Sequence, residues 1–207
     1  DRSYSRRILL SEQLTGAGFN ELLNNSLSSE AYYEGLTSCP ADKLVQLVNP
    51  LSGELNILRQ TLLFGGLSAI SRNLRRQQKS FYYYEWGNCY AAAPEVERST
   101  ATTLAGYRET QSLGLWVAGS RVQSSWAHAD EATSPFELKA HVLHILERLG
   151  VSERSLRAEA IECDLFAGRG YRYATYDGKC IALLGQVSST LLAKWDIDIP
   201  VYYAEIN

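Results

Sequence analysis

The chain has 207 residues, a length that suits one large domain or two small ones. Hydrophobic residues make up 45% of it and charged residues 21%, which is ordinary for a globular protein. The net charge of −3 excludes an overall basic field that attracts nucleic acid, so contact with a polyanion would need a local basic patch. No apolar run is long enough to span a membrane, and no signal-peptide pattern opens the chain.

The four cysteines are too far apart in sequence for a metal knuckle, and the chain is too large to depend on disulfides. We therefore expect reduced thiols and a cytoplasmic protein. The sequence contains no methionine, starts at Asp1 and stops inside a predicted strand. We interpret it as a piece of a longer polypeptide.

The N-terminal part of the chain begins with a predicted helix. Residues 3–18 form this helix, with Leu10 and Leu14 on one face and glycines at its end. The segment FNELLNNSL (19–27) is predicted as a strand, and KLVQLV (43–48) as a second strand before an Asn-Pro turn.

The next predicted element is a long helix over residues 54–77, because Leu55, Leu58 and Leu62 follow helical spacing. Arg59 lies among these leucines. An arginine there could hold a phosphate, or it could bind a neighbouring carboxylate or backbone carbonyl. A partly dry site requires partners for its guanidinium, so we expect Arg59 to be a structural arginine.

The only dense basic cluster of the sequence lies at the end of this predicted helix. It consists of Arg72, Arg75, Arg76 and Lys79. Such clusters are usually solvated helix ends, and cations also suit the negative end of a helix dipole. They are nevertheless the residues at which we would look for contacts with RNA phosphates.

An aromatic segment, SFYYYEWGNCY (80–90), is predicted as a strand, and two more strands follow in ATTLAGY (101–107) and LGLWVAG (113–119). Aromatic rings on a strand can stack on nucleic-acid bases. Packing of the rings within the protein is the commoner role, and we favour it here.

Residues 134–150 give the clearest helix signal, with Ser134 as the cap and Glu137 completing a capping box. His141 and His144 lie on one side of this helix, where they could bind a metal. A polar helix edge explains them better, and we expect no metal site.

The C-terminal part is predicted as a hairpin over residues 171–187 with Asp177-Gly178 at its turn, followed by a short helix (188–195) and a final strand (200–207). The AGRGYR segment before the hairpin could touch a phosphate, although a connecting loop accounts for it equally well.

Hairpins dominate over alternating strands and helices, so the predicted fold is α+β, a largely antiparallel sheet flanked by helices. No nucleophile elbow or phosphate-binding loop is present, so motifs identify no catalytic residue.

Taken in order, several segments resemble one family, the beta subunit of bacterial phenylalanyl-tRNA synthetase. The strongest is NPLSGELNILRQTLLFGGLSAISRNL, and LTGAGFNELLNNSL, FYYYEWGNCY and SSWAHADEATSPFELKAHVLHILERLGV support it. The segment DGKCIALLGQVSSTLLAKWDIDIPVYYAEI is similar to the family's closing hairpin, helix and strand. The order and spacing of these segments, over almost the whole chain, make the resemblance specific.

The resemblance implies the class II synthetase fold over residues 1–207, as one catalytic-like domain of a longer beta subunit. In the family, the alpha subunit activates phenylalanine with ATP and charges tRNA(Phe), in an α2β2 complex that uses magnesium. The helix and strand at the N-terminus resemble class II motif 1, which builds subunit contacts. Leu10, Leu14 and Phe19 are therefore the interface residues that the resemblance implies.

The chain departs from the family where two histidines usually stand, since the corresponding segments here are FAGRGYRYATY and GQVSST. It also lacks the arginines of class II motifs 2 and 3. The nearest matches are Tyr83-Tyr84-Glu85, without arginine, and a segment with Gly185 but no arginine. Since arginine forks bind phosphates, we expect no catalytic residue and no cofactor in this piece.

Two other functions remain open from the sequence. The domain could retain its own adenylate-forming site, which the missing arginines disfavour. It could instead be an RNA-binding module that uses the basic cluster at 72–79, which the acidic net charge disfavours.

Overall fold

The computed structural model describes residues 2–50, 52–93 and 106–207. The helices are α1 Arg2–Gly16, α2 Leu63–Leu74, α3 Pro135–Arg148 and α4 Ser189–Ala193. The strands are β1 Asn20–Glu21, β2 Leu27–Ser28, β3 Val45–Gln46, β4 Ile57–Leu58, β5 Ser80–Ala92, β6 Tyr107–Val122, β7 Glu131–Ala132, β8 Arg157–Glu162, β9 Arg169–Ala174, β10 Cys180–Gln186 and β11 Val201–Ile206.

One large sheet organises these elements, with strand order β1-β5-β6-β11-β10-β9-β8 and with β7 paired to β6. Strand β1 pairs with β5 in parallel, and the other pairs of this sheet are antiparallel. The sheet is flanked by helices, so the predicted α+β class is confirmed. No helix of the described ranges is both long and apolar enough to cross a membrane.

The two faces of the sheet support two separate hydrophobic cores, because successive side chains of a strand point to opposite faces. On the first face, which we call the α2 face, helices α2 and α4 and the small sheet β2-β4-β3 pack on the strands. On the second, the α1/α3 face, the two long helices α1 and α3 pack on the strands.

Residues close together in sequence predicted the start of one helix and the turn of one hairpin. Helix α3 begins after Ser134, whose hydroxyl accepts a hydrogen bond from the amide of Glu137 at 3.4 Å. The β9–β10 hairpin turns at Gly178, which has a φ of +88° that favours glycine. The predicted cap and turn are confirmed, but the capping box is not, because the carboxylate of Glu137 accepts from the hydroxyl of Tyr82 and not from the amide of Ser134.

The predicted helix over 54–77 is wrong in its first half. Residues 57–58 form strand β4, which pairs with both β2 and β3, and α2 begins only at Leu63. The leucine spacing reflects burial and not a helix, because Leu62 belongs to the core of the α2 face although it precedes the helix.

Two strand predictions also differ from the structure. The segment 19–27 is not one strand, since β1 covers only Asn20–Glu21 and β2 begins at Leu27 and ends at Ser28. Residues 107–122 form one long strand that includes the predicted strand 113–119, while residues 101–105 lie outside the described ranges.

Candidate functional site

The positions nearest to class II motifs 2 and 3 lie on the α2 face of the sheet. Tyr83 and Glu85 are buried there on β5, and Gly185 on β10 presents its α-carbon hydrogen to the same face. The resemblance to class II synthetases implies that these positions correspond to the adenylate site of that fold. The α2 face is therefore the candidate functional site.

An ion pair occupies the β5 part of this face. Nη1 of Arg59 lies 2.6 Å from Oε1 of Glu85, and the two side chains are 7% and 2% exposed. Nε of Arg59 donates to the backbone carbonyl of Asn88 at 3.0 Å, and Nδ2 of Asn24 donates to Oε2 of Glu85 at 2.6 Å. The carboxylate at the motif 2 position is thus bound by the protein's own donors.

A glycine makes room for the arginine. A Cβ added to Gly87, two residues after Glu85 on the same face, would collide with Nη2 of Arg59 and lie 2.7 Å from a methyl of Leu62. Arg59 and Leu62 therefore pack directly on the backbone of β5. No free volume for a ligand lies between them and this strand.

An indole fills the middle of the face. Trp116 on β6 is fully buried, and Nε1 of its ring donates to the carbonyl of Leu63 at 3.2 Å. A Cβ on Gly66 of α2 would collide with this ring, and a Cβ on Gly114 would lie 2.6 Å from it. Helix α2 can approach the sheet this closely only because Gly66 has no side chain.

A second carboxylate fixes the start of α2. Oε2 of Glu205 accepts from the hydroxyl of Thr61 at 2.7 Å and from the amide of Leu62 at 3.2 Å, and the hydroxyl of Tyr203 donates to it as well. A carboxylate is favourable near a helix N-terminus because the free amides there carry positive partial charge. Burial, together with the neighbouring carboxylate, raises the pKa of Tyr203 well above its usual value.

A phenylalanine covers the β9–β10 part of the face. The ring of Phe166 is 4% exposed, and it lies so close to Gly185 that a Cβ there would be 2.6 Å from it. A Cβ on Gly170, on the neighbouring strand, would collide with the same ring. Phe166 begins the FAGRGYR segment, where the family usually has a histidine, and here it is a packing residue.

The space left beside Arg59 is small. A cavity of about 150 Å³ lies between the 24–28 segment and α2, with Tyr32 and Phe64 among its walls. Ligand pockets usually measure roughly 300–1,000 Å³. The α2 face is therefore occupied by the chain's own side chains.

The three predicted interface residues lie elsewhere, and this expectation requires correction. Leu10, Leu14 and Phe19 are 1%, 1% and 2% exposed and belong to the core of the α1/α3 face. Because they already pack on the sheet of their own chain, they cannot also present an apolar surface to a partner. The exposed side of α1 carries Tyr4 and Ile8 instead, at 66% and 42% exposure.

The basic cluster is at the C-terminal end of α2, and its four cations are exposed. Arg75 forms an ion pair of 2.9 Å with Asp196, and Nε of Arg72 donates to the carbonyl of Ser68 at 3.4 Å. The structure thus brings Arg72, Arg75, Arg76 and Lys79 together on the surface but neutralises one of them.

The aromatic side chains of β5 have partners within the protein. The hydroxyl of Tyr82 donates to Glu137 at 2.7 Å, and Nε1 of Trp86 donates to the hydroxyl of Ser11 at 3.1 Å. Tyr83 and Tyr84 are buried. These rings are therefore packing groups, as we favoured from the sequence.

The two histidines of α3 lie in different environments. The ring of His141 packs edge-on against Phe19, with 4.9 Å between the ring centroids, and burial lowers its pKa. His144 is exposed. Within the described ranges, no group of three or more potential ligands could hold a metal ion.

Sequence reasoning missed Trp116, Phe166 and Glu205. Each contacts a residue that is distant in sequence, such as Leu63 for Trp116 and Thr61 for Glu205. The glycines at 66, 87, 114 and 185 were the available signal, because a glycine inside a helix or strand often marks a close approach of another group.

Solved structures of similar fold identify the architecture. A pyrrolysyl-tRNA synthetase from Desulfitobacterium hafniense superposes with a TM-score of 0.67 over 98% of this chain and 63% of that chain, at 19% identity. A second structure of a pyrrolysyl-tRNA synthetase from this organism gives the same TM-score at 18% identity. The fold is that of the class II aminoacyl-tRNA synthetases.

Sequence relatives identify the family. The model of the phenylalanyl-tRNA synthetase beta chain CLM domain matches residues 1–207, and the chain belongs to that family. It is 48% identical over 206 residues to a phenylalanine–tRNA ligase beta subunit from Porphyromonas gingivalis and 46% identical over 207 residues to one from Bacteroides fragilis. In both comparisons all of this chain is aligned with 25% of the relative, so the chain spans about a quarter of their length.

Proposed function

We propose that this chain is a non-catalytic, class II synthetase-like domain of a phenylalanine–tRNA ligase beta subunit, and that it supports assembly with an alpha subunit. One observation carries the proposal: the α2 face is filled by the chain's own side chains. Arg59 binds Glu85 at the motif 2 position, and Phe166 covers Gly185 at the motif 3 position. An adenylate would need this space and cationic groups directed into it.

The same proposal assigns the chemistry to the partner. The alpha subunit attaches phenylalanine to tRNA(Phe) with ATP and magnesium, in a cytoplasmic α2β2 complex, while residues 1–207 act as one domain without a cofactor. The names of the relatives support this assignment, because they are beta subunits of a phenylalanine–tRNA ligase. A separate adenylate site in this chain is disfavoured by the filled face.

We propose the outer side of α1 as the surface that meets the alpha subunit. Tyr4 and Ile8 are one helical turn apart and are exposed, while Leu10 and Leu14 hold the opposite side of the helix against the sheet. Exposed aromatic and aliphatic side chains on one helix face are typical of the core of a protein interface.

Within the complex, the basic cluster at the end of α2 remains the candidate for RNA contact. Arg72, Arg76 and Lys79 are exposed and form no ion pair with another described residue. Arg75 is paired with Asp196, so we expect it to contribute least.

Subunit mixing tests the proposed function. The full-length protein that carries this chain is expected to show no phenylalanine-dependent ATP–pyrophosphate exchange alone, and to coelute with the alpha subunit and gain the activity after mixing. Exchange by the protein alone would show a working adenylate site. Separate elution of the two subunits would contradict the assembly role.

A further inference from the structure

A second cavity lies on the α1/α3 face, between the N-terminal turn of α3 and strands β9 and β10. Its volume is about 340 Å³, within the range of small-ligand pockets. Leu138 and Leu184, both nearly fully buried, form its apolar walls. The sheet separates this cavity from the ring of Phe166 on the α2 face, because neighbouring residues of β10 point to opposite sides of the sheet.

Two aromatic rings line this cavity and remain accessible to solvent. Phe136 is 78% exposed and Tyr171 is 54% exposed. Exposed aromatic side chains around an apolar cavity leave a large hydrophobic area in water. A ligand with a flat apolar group would bury part of that area.

The charged side chains of the lining are all cationic. Lys139 and Arg169 line the cavity, and no carboxylate is among the lining residues. Lys139 lies 3.9 Å from Glu153, a long contact between half-exposed side chains, and it also interacts with the hydroxyl of Tyr173. The side chain of Arg169 forms no hydrogen bond or ion pair with any residue of the described ranges, although Glu162 lies directly opposite it on β8. Its guanidinium is therefore available to an anion.

We propose that this cavity binds an aromatic or branched aliphatic carboxylate. The apolar group would lie against Leu138 and Leu184, and the carboxylate would be held by Arg169 and Lys139. Arginine is suited to this role because its planar fork can donate two parallel hydrogen bonds to one carboxylate. The amide of Gln186, also in the lining, is a further donor. This site does not depend on the function proposed above.

Phenylacetate is a suitable probe, because it joins one ring and one carboxylate. Saturation-transfer difference NMR on the full-length protein is expected to detect millimolar-range binding, since a ligand of this size has few contacts. Acetate supplies the charge without the ring, and benzylamine supplies the ring with the opposite charge. Both are expected to bind at least tenfold more weakly than phenylacetate.

Variants locate the binding on this chain. The double variant Lys139→Gln/Arg169→Gln is expected to weaken phenylacetate binding at least tenfold without lowering the melting temperature, because both side chains are on the surface. Lys179→Gln removes an exposed cation at the hairpin turn, away from the cavity, and is the matched control. Absence of phenylacetate binding, equal binding of benzylamine, or unchanged binding by the double variant would overturn the proposal.

A capped peptide with adjacent phenylalanine and aspartate presents the same chemistry from a protein. Competition between this peptide and phenylacetate at the cavity supports the site in either case. If the peptide binds more tightly, the natural carboxylate belongs to a protein segment. If phenylacetate binds more tightly, it belongs to a small acid.

Discussion

The guanidinium of Arg59 and the carboxylate of Glu85 form an ion pair of 2.6 Å that is almost completely closed to solvent. Arg59 immediately follows β4, and Glu85 lies in the middle of β5. The pair therefore fastens the layer that covers the α2 face to the sheet beneath it. Asn24 and the carbonyl of Asn88 supply the remaining hydrogen bonds that a buried pair requires.

Removing the arginine should destabilise the sheet locally. Arg59→Ala leaves Glu85 buried with only Asn24 as a donor, so we expect a loss of about 3–5 kcal/mol. Hydrogen exchange of the β5 amides measures this loss in the full-length protein. Arg75→Ala, which breaks the exposed pair with Asp196, is the control and should cost under about 1 kcal/mol.

The same variant distinguishes a structural from a substrate-binding arginine. In the proposed complex with the alpha subunit, Arg59→Ala should lower the melting temperature but leave the affinities for ATP and phenylalanine near normal. A specific loss of ATP affinity at an unchanged melting temperature would assign Arg59 to substrate binding.

The close approach of α2 to the sheet gives a second prediction. Gly66→Ala places a methyl group against the indole of Trp116, so the helix must move away, at a cost of about 1–3 kcal/mol. Gly16→Ala is the matched control, because it is also a helical glycine and has no heavy atom within 4 Å of the added Cβ. Thermal melting should show a lower midpoint for Gly66→Ala alone. Equal midpoints for the two variants would mean that the contact between Gly66 and Trp116 is not close.

The two sides of α1 should respond differently to charge. Leu10→Asp buries a carboxylate in the core of the α1/α3 face and should prevent stable folding. Tyr4→Asp/Ile8→Asp changes only exposed side chains, so the protein should stay folded but associate at least tenfold more weakly with the alpha subunit. Gel filtration and circular dichroism check both outcomes. Normal association of the Tyr4/Ile8 double variant would exclude the outer side of α1 from the interface.

Burial of His141 predicts a dependence of stability on pH. Burial lowers the pKa of this histidine in the folded protein, so the unfolded chain takes up the proton more readily. This contribution to stability is present above the unfolded pKa of about 6.5 and is lost as the pH falls below it. The melting temperature of the wild type should therefore exceed that of His141→Gln by less and less as the pH falls from about 7.5 to about 5. His128→Gln, in the exposed loop before α3, is the control, and an advantage that does not change with pH would contradict the prediction.

The sequence predicted the elements that are determined locally. The cap at Ser134 and the turn at Gly178 depend on residues within a few positions, and both are found. The 54–77 helix failed because leucine spacing reports burial, and Leu62 is buried by contact with Gly87 and Gly114 rather than by being helical. Strand β8 was missed, although its sequence RAEAIE alternates charged and apolar residues at strand spacing.

The candidate site shows the same limit. The sequence indicated that Arg59 needs a carboxylate or carbonyl partner, but Glu85 is 26 residues away and no local pattern identifies it. The sequence placed Leu10 and Leu14 on one apolar face of α1, but we assigned that face to a subunit interface. An amphipathic pattern does not say which surface covers the apolar side, and here the chain's own sheet covers it.

Counting adenylate sites in the proposed complex with the alpha subunit tests most directly whether the α2 face is inactive. Rapid mixing of the complex with ATP and phenylalanine gives a burst of aminoacyl-adenylate whose amplitude equals the number of working sites. We predict one site for each pair of alpha and beta subunits, with an amplitude that Arg59→Ala does not alter while the complex stays folded. Two sites for each pair would contradict a filled, non-catalytic face in this chain.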